Sequence, residues 1–154
     1  MHDAHELSYS QCVALLRAGV FGRVAVSAQD GPHVVPVNYA VSDAAILVRT
    51  TADGLLARYG RGARIAFEID HVDYTYQRGW SVMVRGTAAV VDDPARVASI
   101  RAVWEPRPWA GGDRSLLLEL PWTEVTGRLL GSGWNPMSGL PVRRAPCPAA
   151  TPVT

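Results

Sequence analysis

The chain has 154 residues, 48% hydrophobic and 19% charged, with a formal net charge of +1: one domain's length, enough apolar content for a core, and too little charge to capture nucleic acid or an anionic membrane. All fifteen basic residues are arginines, which excludes a pyridoxal Schiff base and a Walker-type phosphate loop, since each needs a lysine. No apolar run reaches the roughly 18 to 20 residues of a membrane span, and the N-terminus lacks the basic-then-apolar order of a signal peptide, so a cytoplasmic protein is expected.

Ser8-Tyr9-Ser10-Gln11 is a capping-box pattern that predicts a helix start, with Cys12, Val13, Leu15 and Leu16 on one face and Gly19 as its stop. Residues 22–28, with alternating Val24 and Val26, and residues 33–41 read as a hairpin around Gln29-Asp30-Gly31-Pro32. After the turn Ser42-Asp43-Ala44 a third strand returns over 45–50, and 53–61 reads as a helix with Leu55, Leu56 and Tyr59 inward. A strand over 63–69 carries Ile65, Phe67 and Ile69 on one side. A polar loop over 70–78 then leads to the longest predicted strand, 80–91, with Trp80, Val82, Val84, Gly86, Ala88 and Val90 on one face. Pro94 opens a helix running to about Trp104, and strands over 115–120 and 122–130 complete a domain spanning 1–130. A Gly/Pro-rich tail, 131–154, is expected to be extended or mobile.

Strands dominate and their connections are short, which points to an antiparallel barrel with peripheral helices. The strand over 33–41 is apolar on both sides, Val34, Pro36 and Ala40 against Val35, Val37, Tyr39 and Val41. One side should fill the barrel and the other meet a subunit or a flat ligand, so a homodimer with ligand at its seam is expected. Arg49-Thr50-Thr51 puts a fork of N–H donors beside two hydroxyls where a helix is predicted to begin, a set suited to phosphate; an edge-strand arginine with two β-propensity threonines is the open alternative. Cys12 and Cys147 form neither a metal spacing nor a redox pair, and His2, His5, His33 and His71 are scattered, the first two on a terminus expected to fray, so no metal site is expected.

A helix followed in order by GRVAVS, VVPVNYAV, ILVRTT, RGARIAFEID, GWSVMVRGTAAVV and RPWA resembles the pyridoxamine 5′-phosphate oxidase-like, FMN-binding split-barrel family over about residues 7–128. The resemblance implies a mainly β fold, a six-stranded antiparallel split β-barrel with peripheral helices, forming a homodimer with a flavin in each of two clefts between subunits. It implies that Pro36, Val37, Asn38 and Tyr39 line the isoalloxazine ring, that Arg49, Thr50 and Thr51 hold the phosphate and ribityl chain, and that Trp80 and Ser81 approach the cleft from another strand. Trp109 would reach the cofactor side; for both tryptophans a core or interface role is the alternative. Members often carry a lysine where this chain has Leu55, a loss of about 1 to 3 kcal/mol if that group touches phosphate, with Arg58 or Arg61 as candidate replacements.

By this resemblance the chain is an FMN-dependent oxidoreductase acting on a small planar molecule by hydride transfer at flavin N5, with no catalytic side chain of its own. No acid–base dyad or nucleophile triad argues for another reaction. Pyridoxamine phosphate oxidation itself is disfavoured because no second cluster of arginine and hydroxyls is evident, Arg85, Arg107 and Arg114 reading as isolated surface residues. The alternatives are a deazaflavin-dependent reductase and a non-catalytic protein that stores or senses flavin or haem, with His33 or His71 as axial ligand. Binding of single-stranded nucleic acid is disfavoured by the near-neutral charge.

Overall fold

Helix α1 (Tyr9–Ala18) starts where the capping box puts it: in this computed structural model the Ser8 hydroxyl accepts from the Gln11 amide, and the Gln11 side chain accepts from the Ser8 amide. The structure describes residues 4–103 and 109–139. α1 buries Cys12, Leu15 and Leu16 and ends at Gly19, where a side chain would run into the Tyr39 hydroxyl. The strands are β1 (Ala4–Glu6), β2 (Phe21–Ala28), β3 (Gly31–Ser42), β4 (Ala45–Thr50), β5 (Arg64–Asp73), β6 (Arg78–Thr87), β7 (Ala89–Val90), β8 (Leu116–Pro121) and β9 (Glu124–Leu130). Between them lie helices α2 (Leu55–Gly60) and α3 (Pro94–Val103), and a 3-10 turn at Pro136–Gly139 follows. The sheet order is β1-β9-β6-β5-β2-β3-β4-β8-β7, with every pairing antiparallel. This is the expected antiparallel β architecture with peripheral helices.

Three elements differ from expectation. The polar loop over 70–78 is mostly strand, because β6 continues to pair with β5 out to Asp73–Arg78 and leaves only a tight turn, whose amides at Thr75 and Tyr76 donate to the Asp73 carboxylate. The strand over 80–91 breaks near Ala88, whose amide donates to the Ala63 carbonyl while the chain swings on to pair β7 with β8. Residues 4–6, expected to fray, pair with β9, anchored by buried Leu7 and its amide bond to the Gly127 carbonyl. Trp134, just after β9, lies under the Arg78 guanidinium, which also covers the Tyr76 ring. Trp104 and the chain beyond residue 139 fall outside the described residues.

The main core gathers Tyr39, Phe67, Leu15, Leu16, Val82 and Val84, all fully buried. At its centre the Tyr39 hydroxyl donates to the Leu16 carbonyl at 2.6 Å, and its ring meets Phe67 edge-on at 4.7 Å. A smaller cluster of Ala40, Leu47, Val91, Ile100 and Leu117 lies on the other side of the β3–β4 pair, where α3 contributes Ile100. The two-sided apolarity of β3 is thus explained at residues 39 and 40, while Val34 and Pro36 stay exposed. Among the described residues no helix is long and apolar enough to cross a membrane.

One detail of β3 sets the functional geometry. Residues 31–38 pair with β2, whereas residues 39–42 pair with β4. Beyond the Tyr39–Val48 pair β4 has no partner on β3, and Arg49 and Thr50 keep only the pairing with β8 that runs along all of β4. Replacing Tyr39 by phenylalanine leaves the buried Leu16 carbonyl without this donor and is expected to cost about 1 to 3 kcal/mol. Urea denaturation checks this as a lower midpoint with an unchanged slope.

Candidate functional site

A pocket of about 220 Å³ opens where β3 and β4 part. Its floor is β3 from Val35 to Asn38, its sides are Arg49 and Thr50 of β4 with Leu56 of α2, and its rim is Phe21 at the start of β2 with Trp109, Ala110 and Arg114 from the segment before β8. The Asn38 side chain holds two parts of this rim. Its amide nitrogen donates to the Val20 carbonyl at 3.4 Å, and its oxygen accepts from the Trp109 backbone amide at 2.8 Å. Phe21 and Trp109, fixed on either side of it, lie parallel within 7° at 5.7 Å between ring centres. Trp109 is 73% exposed and Phe21 41%, an uncovered aromatic pair of the kind that takes a planar ligand or another protein surface.

The far side of the segment is fastened by Arg49, whose Nε donates to the Arg114 carbonyl at 2.8 Å, while Arg114 Nε donates to the Ala110 carbonyl at 3.3 Å. Among the described residues the wall carries two guanidiniums and one hydroxyl, and no carboxylate, imidazole or thiol. The groups that titrate abnormally lie elsewhere. Burial, aided by Asp70, pushes the Glu68 carboxyl up despite Arg23 at 3.0 Å, and burial pushes the Cys12 thiol up. Among the described residues no His, Cys, Asp or Glu cluster could hold a metal.

Of the residues singled out in the sequence, Pro36, Val37, Asn38, Arg49, Thr50 and Trp109 meet in this pocket. Five others do not line it. Tyr39 is fully buried in the core, because neighbouring strand residues point to opposite faces and its side is the α1 side. Thr51 lies one residue past β4 and its carbonyl accepts the Gly54 amide, closing the turn into α2. Arg58 is exposed in the last turn of α2, a helix of only six residues. Trp80 is a core tryptophan, 6% exposed, with no hydrogen-bond partner for its indole N–H among the described residues. Ser81 follows it on β6, half-buried opposite Asp70 and Arg128.

The haem-ligand candidates are also elsewhere: His33 bonds Asp30 at the β2–β3 hairpin, and His71 faces Trp80 at 6.3 Å. Arg85, expected to be isolated, pairs with Glu124. Arg107 is outside the described residues. The chief correction is Arg114, which is half-buried in the pocket wall rather than alone on the surface. Phe21, Val35, Leu56 and Ala110 were likewise not foreseen; an aromatic directly after Gly19-Val20 was the one local hint.

The profile of the pyridoxamine 5′-phosphate oxidase family matches residues 8–129. The chain belongs to that family. A relative from Mycobacterium tuberculosis, an uncharacterized protein, is 32% identical over 106 residues, 66% of this chain and 70% of its own length. The solved structure of the FAD binding protein from Mycobacterium smegmatis resembles this chain with a TM-score of 0.69 at 28% identity, covering 81% of this chain and 97% of that one. A FAD-binding protein from Mesorhizobium loti gives 0.64 at 25% identity, covering 82% and 97%. In this pyridoxamine 5′-phosphate oxidase family chain, Asn38→Ala should free Trp109 from β3. The expected readouts are a weaker near-UV circular dichroism signal from the Phe21–Trp109 pair and a stability loss of about 1 kcal/mol.

Proposed function

We propose that the pocket binds a flavin nucleotide, FMN or FAD, and that the protein is an oxidoreductase passing hydride between the flavin and a small planar molecule. The observation that carries this reading is the meeting of Arg49 and Thr50 with the apolar Val35–Val37 edge and the parallel Phe21–Trp109 pair in one pocket. A flavin nucleotide has the matching parts, an anionic phosphate and a flat apolar ring system. Two solved structures at or above 25% identity are described as FAD binding, which supports the assignment.

Bound there, the flavin would supply the hydride donor and acceptor at its ring N5. The chain's own residues do the rest. Arg49 neutralises phosphate charge, and Thr50 offers a hydroxyl to the same group. Pro36 and Val37 present an apolar wall that excludes water, and Asn38 fixes where Trp109 stands. With no base or nucleophile among the described residues of the wall, hydride transfer fits this site better than hydrolysis or group transfer.

The pocket, at about 220 Å³, falls below the roughly 300 to 1,000 Å³ of sites that enclose a whole cofactor. A second copy of the chain covering Phe21, Trp109 and exposed Pro36 would complete it, so the reading includes a homodimer with the flavin at its seam. A deazaflavin would use the same wall, and titration separates the candidates. Added FMN or FAD should lose fluorescence and shift its visible bands on binding. Arg49→Met should weaken the preferred flavin by about 10-fold to 100-fold, the worth of a charge-assisted hydrogen bond. A protein that leaves the spectra of FMN, FAD and deazaflavin untouched would refute the assignment.

A further inference from the structure

We propose that residues 109–114 form a gate over the pocket, latched to β3 by Asn38 and opened by rotation about Gly111-Gly112 to admit a ligand. The segment is fastened at two points on opposite sides of the gap between β3 and β4. At one end the Trp109 amide donates to the Asn38 side chain of β3 at 2.8 Å. At the other the Arg114 carbonyl accepts from Arg49 Nε of β4, also at 2.8 Å. The segment therefore crosses the opening that the parted strands leave, and among the described residues no backbone pairing holds it there.

The two fastenings are unequal. The Arg49 bond has an ionised donor, which makes it about twice as strong as a neutral one, and it sits beside the β4–β8 ladder that begins at Leu116. The Trp109 end depends on one neutral bond and on a stack of two rings that are both open to solvent. Trp109 is thus the end that lets go. Between the ends Ala110, Gly111, Gly112 and Asp113 are exposed, and no atom lies within 4 Å of where a side chain would stand on either glycine. Gly112 has a φ of +96°, a region that favours glycine, so the pair turns against little steric resistance. The one bond within the segment, from Arg114 Nε to the Ala110 carbonyl, is long at 3.3 Å and open to competing water.

A short, exposed and weakly bonded segment with a glycine pivot at a concave site has the physical make-up of a ligand-admitting lid. The gate rests on these bonds alone, whereas flavin as the ligand it admits rests on the reading above. The test therefore reads access to the pocket floor without any ligand. Val37 lies on that floor, 9% exposed. Val37→Cys in a Cys147→Ser background is labelled with Ellman's reagent, and buried Cys12 gives the internal measure of global unfolding.

Asn38→Ala removes the latch and should speed labelling at position 37 by about 3-fold to 10-fold, the worth of one neutral hydrogen bond. Gly111→Ala stiffens the pivot and should slow it by about 2-fold to 5-fold, with Cys12 keeping its rate in both variants. Toward FMN, Gly111→Ala should lower the association and dissociation rates together and leave Kd within about two-fold, which a merely structural role would not do. If Val37→Cys does not fold, opening is compared instead through the exchange of the Trp109 fluorine signal in protein labelled with 5-fluorotryptophan, assigned by its loss in Trp109→Phe. Opening that responds as expected in a protein that binds neither FMN nor FAD upholds the gate while the flavin reading falls. Equal opening in wild type, Asn38→Ala and Gly111→Ala, labelling that only follows Cys12, or FMN rates untouched by Gly111→Ala overturns the proposal.

Discussion

The structure turns on a change of partner within a single strand. β3 is bonded to β2 up to Asn38 and to β4 from Tyr39 onward, so no one sheet direction satisfies its whole length. Where one pairing ends and the other begins, the last residues of β4 stay on β8 but have no β3 residue opposite them, and space opens beside residues 35–38. The gap is stable only because its lining is satisfied in other ways: the Asn38 amide bonds Val20 and Trp109, and Arg49 bonds the Arg114 carbonyl. A backbone ladder there would close the pocket, and side-chain bonds keep it open.

The same arrangement divides labour between adjacent residues. Tyr39 locks the sheet to α1 through the Leu16 carbonyl and packs on Phe67, while Asn38, one residue away, serves the pocket rim. Strand alternation makes this possible, since consecutive side chains leave on opposite faces. It also explains why a four-residue stretch that reads as one ligand-facing motif is split between core and site.

Much of the fold was legible because local signals agreed with the tertiary result. The capping box at Ser8, the alternation of Val24 and Val26 and the residues 45–50 that became β4 all say the same thing at each level. What was missed depends on long-range pairing. The β5–β6 hairpin extends through polar residues because the two strands template each other, and β1 forms because Leu7 is buried beside β9. In the site, Arg49 and Thr50 were legible from residue type and position, and Asn38 from the family resemblance. Arg114 was not, since nothing in Gly111-Gly112-Asp113-Arg114 indicates that β8, which this segment enters, pairs with β4 and brings it to the pocket.

The segment from Trp109 to Arg114 touches the sheet through an aromatic contact and side-chain bonds, without joining the strand ladder. Its sequence is therefore largely released from the demands of folding. Drift there can reshape the crevice while the β framework beneath remains as it was, so relatives with superimposable sheets can come to differ at these six positions alone.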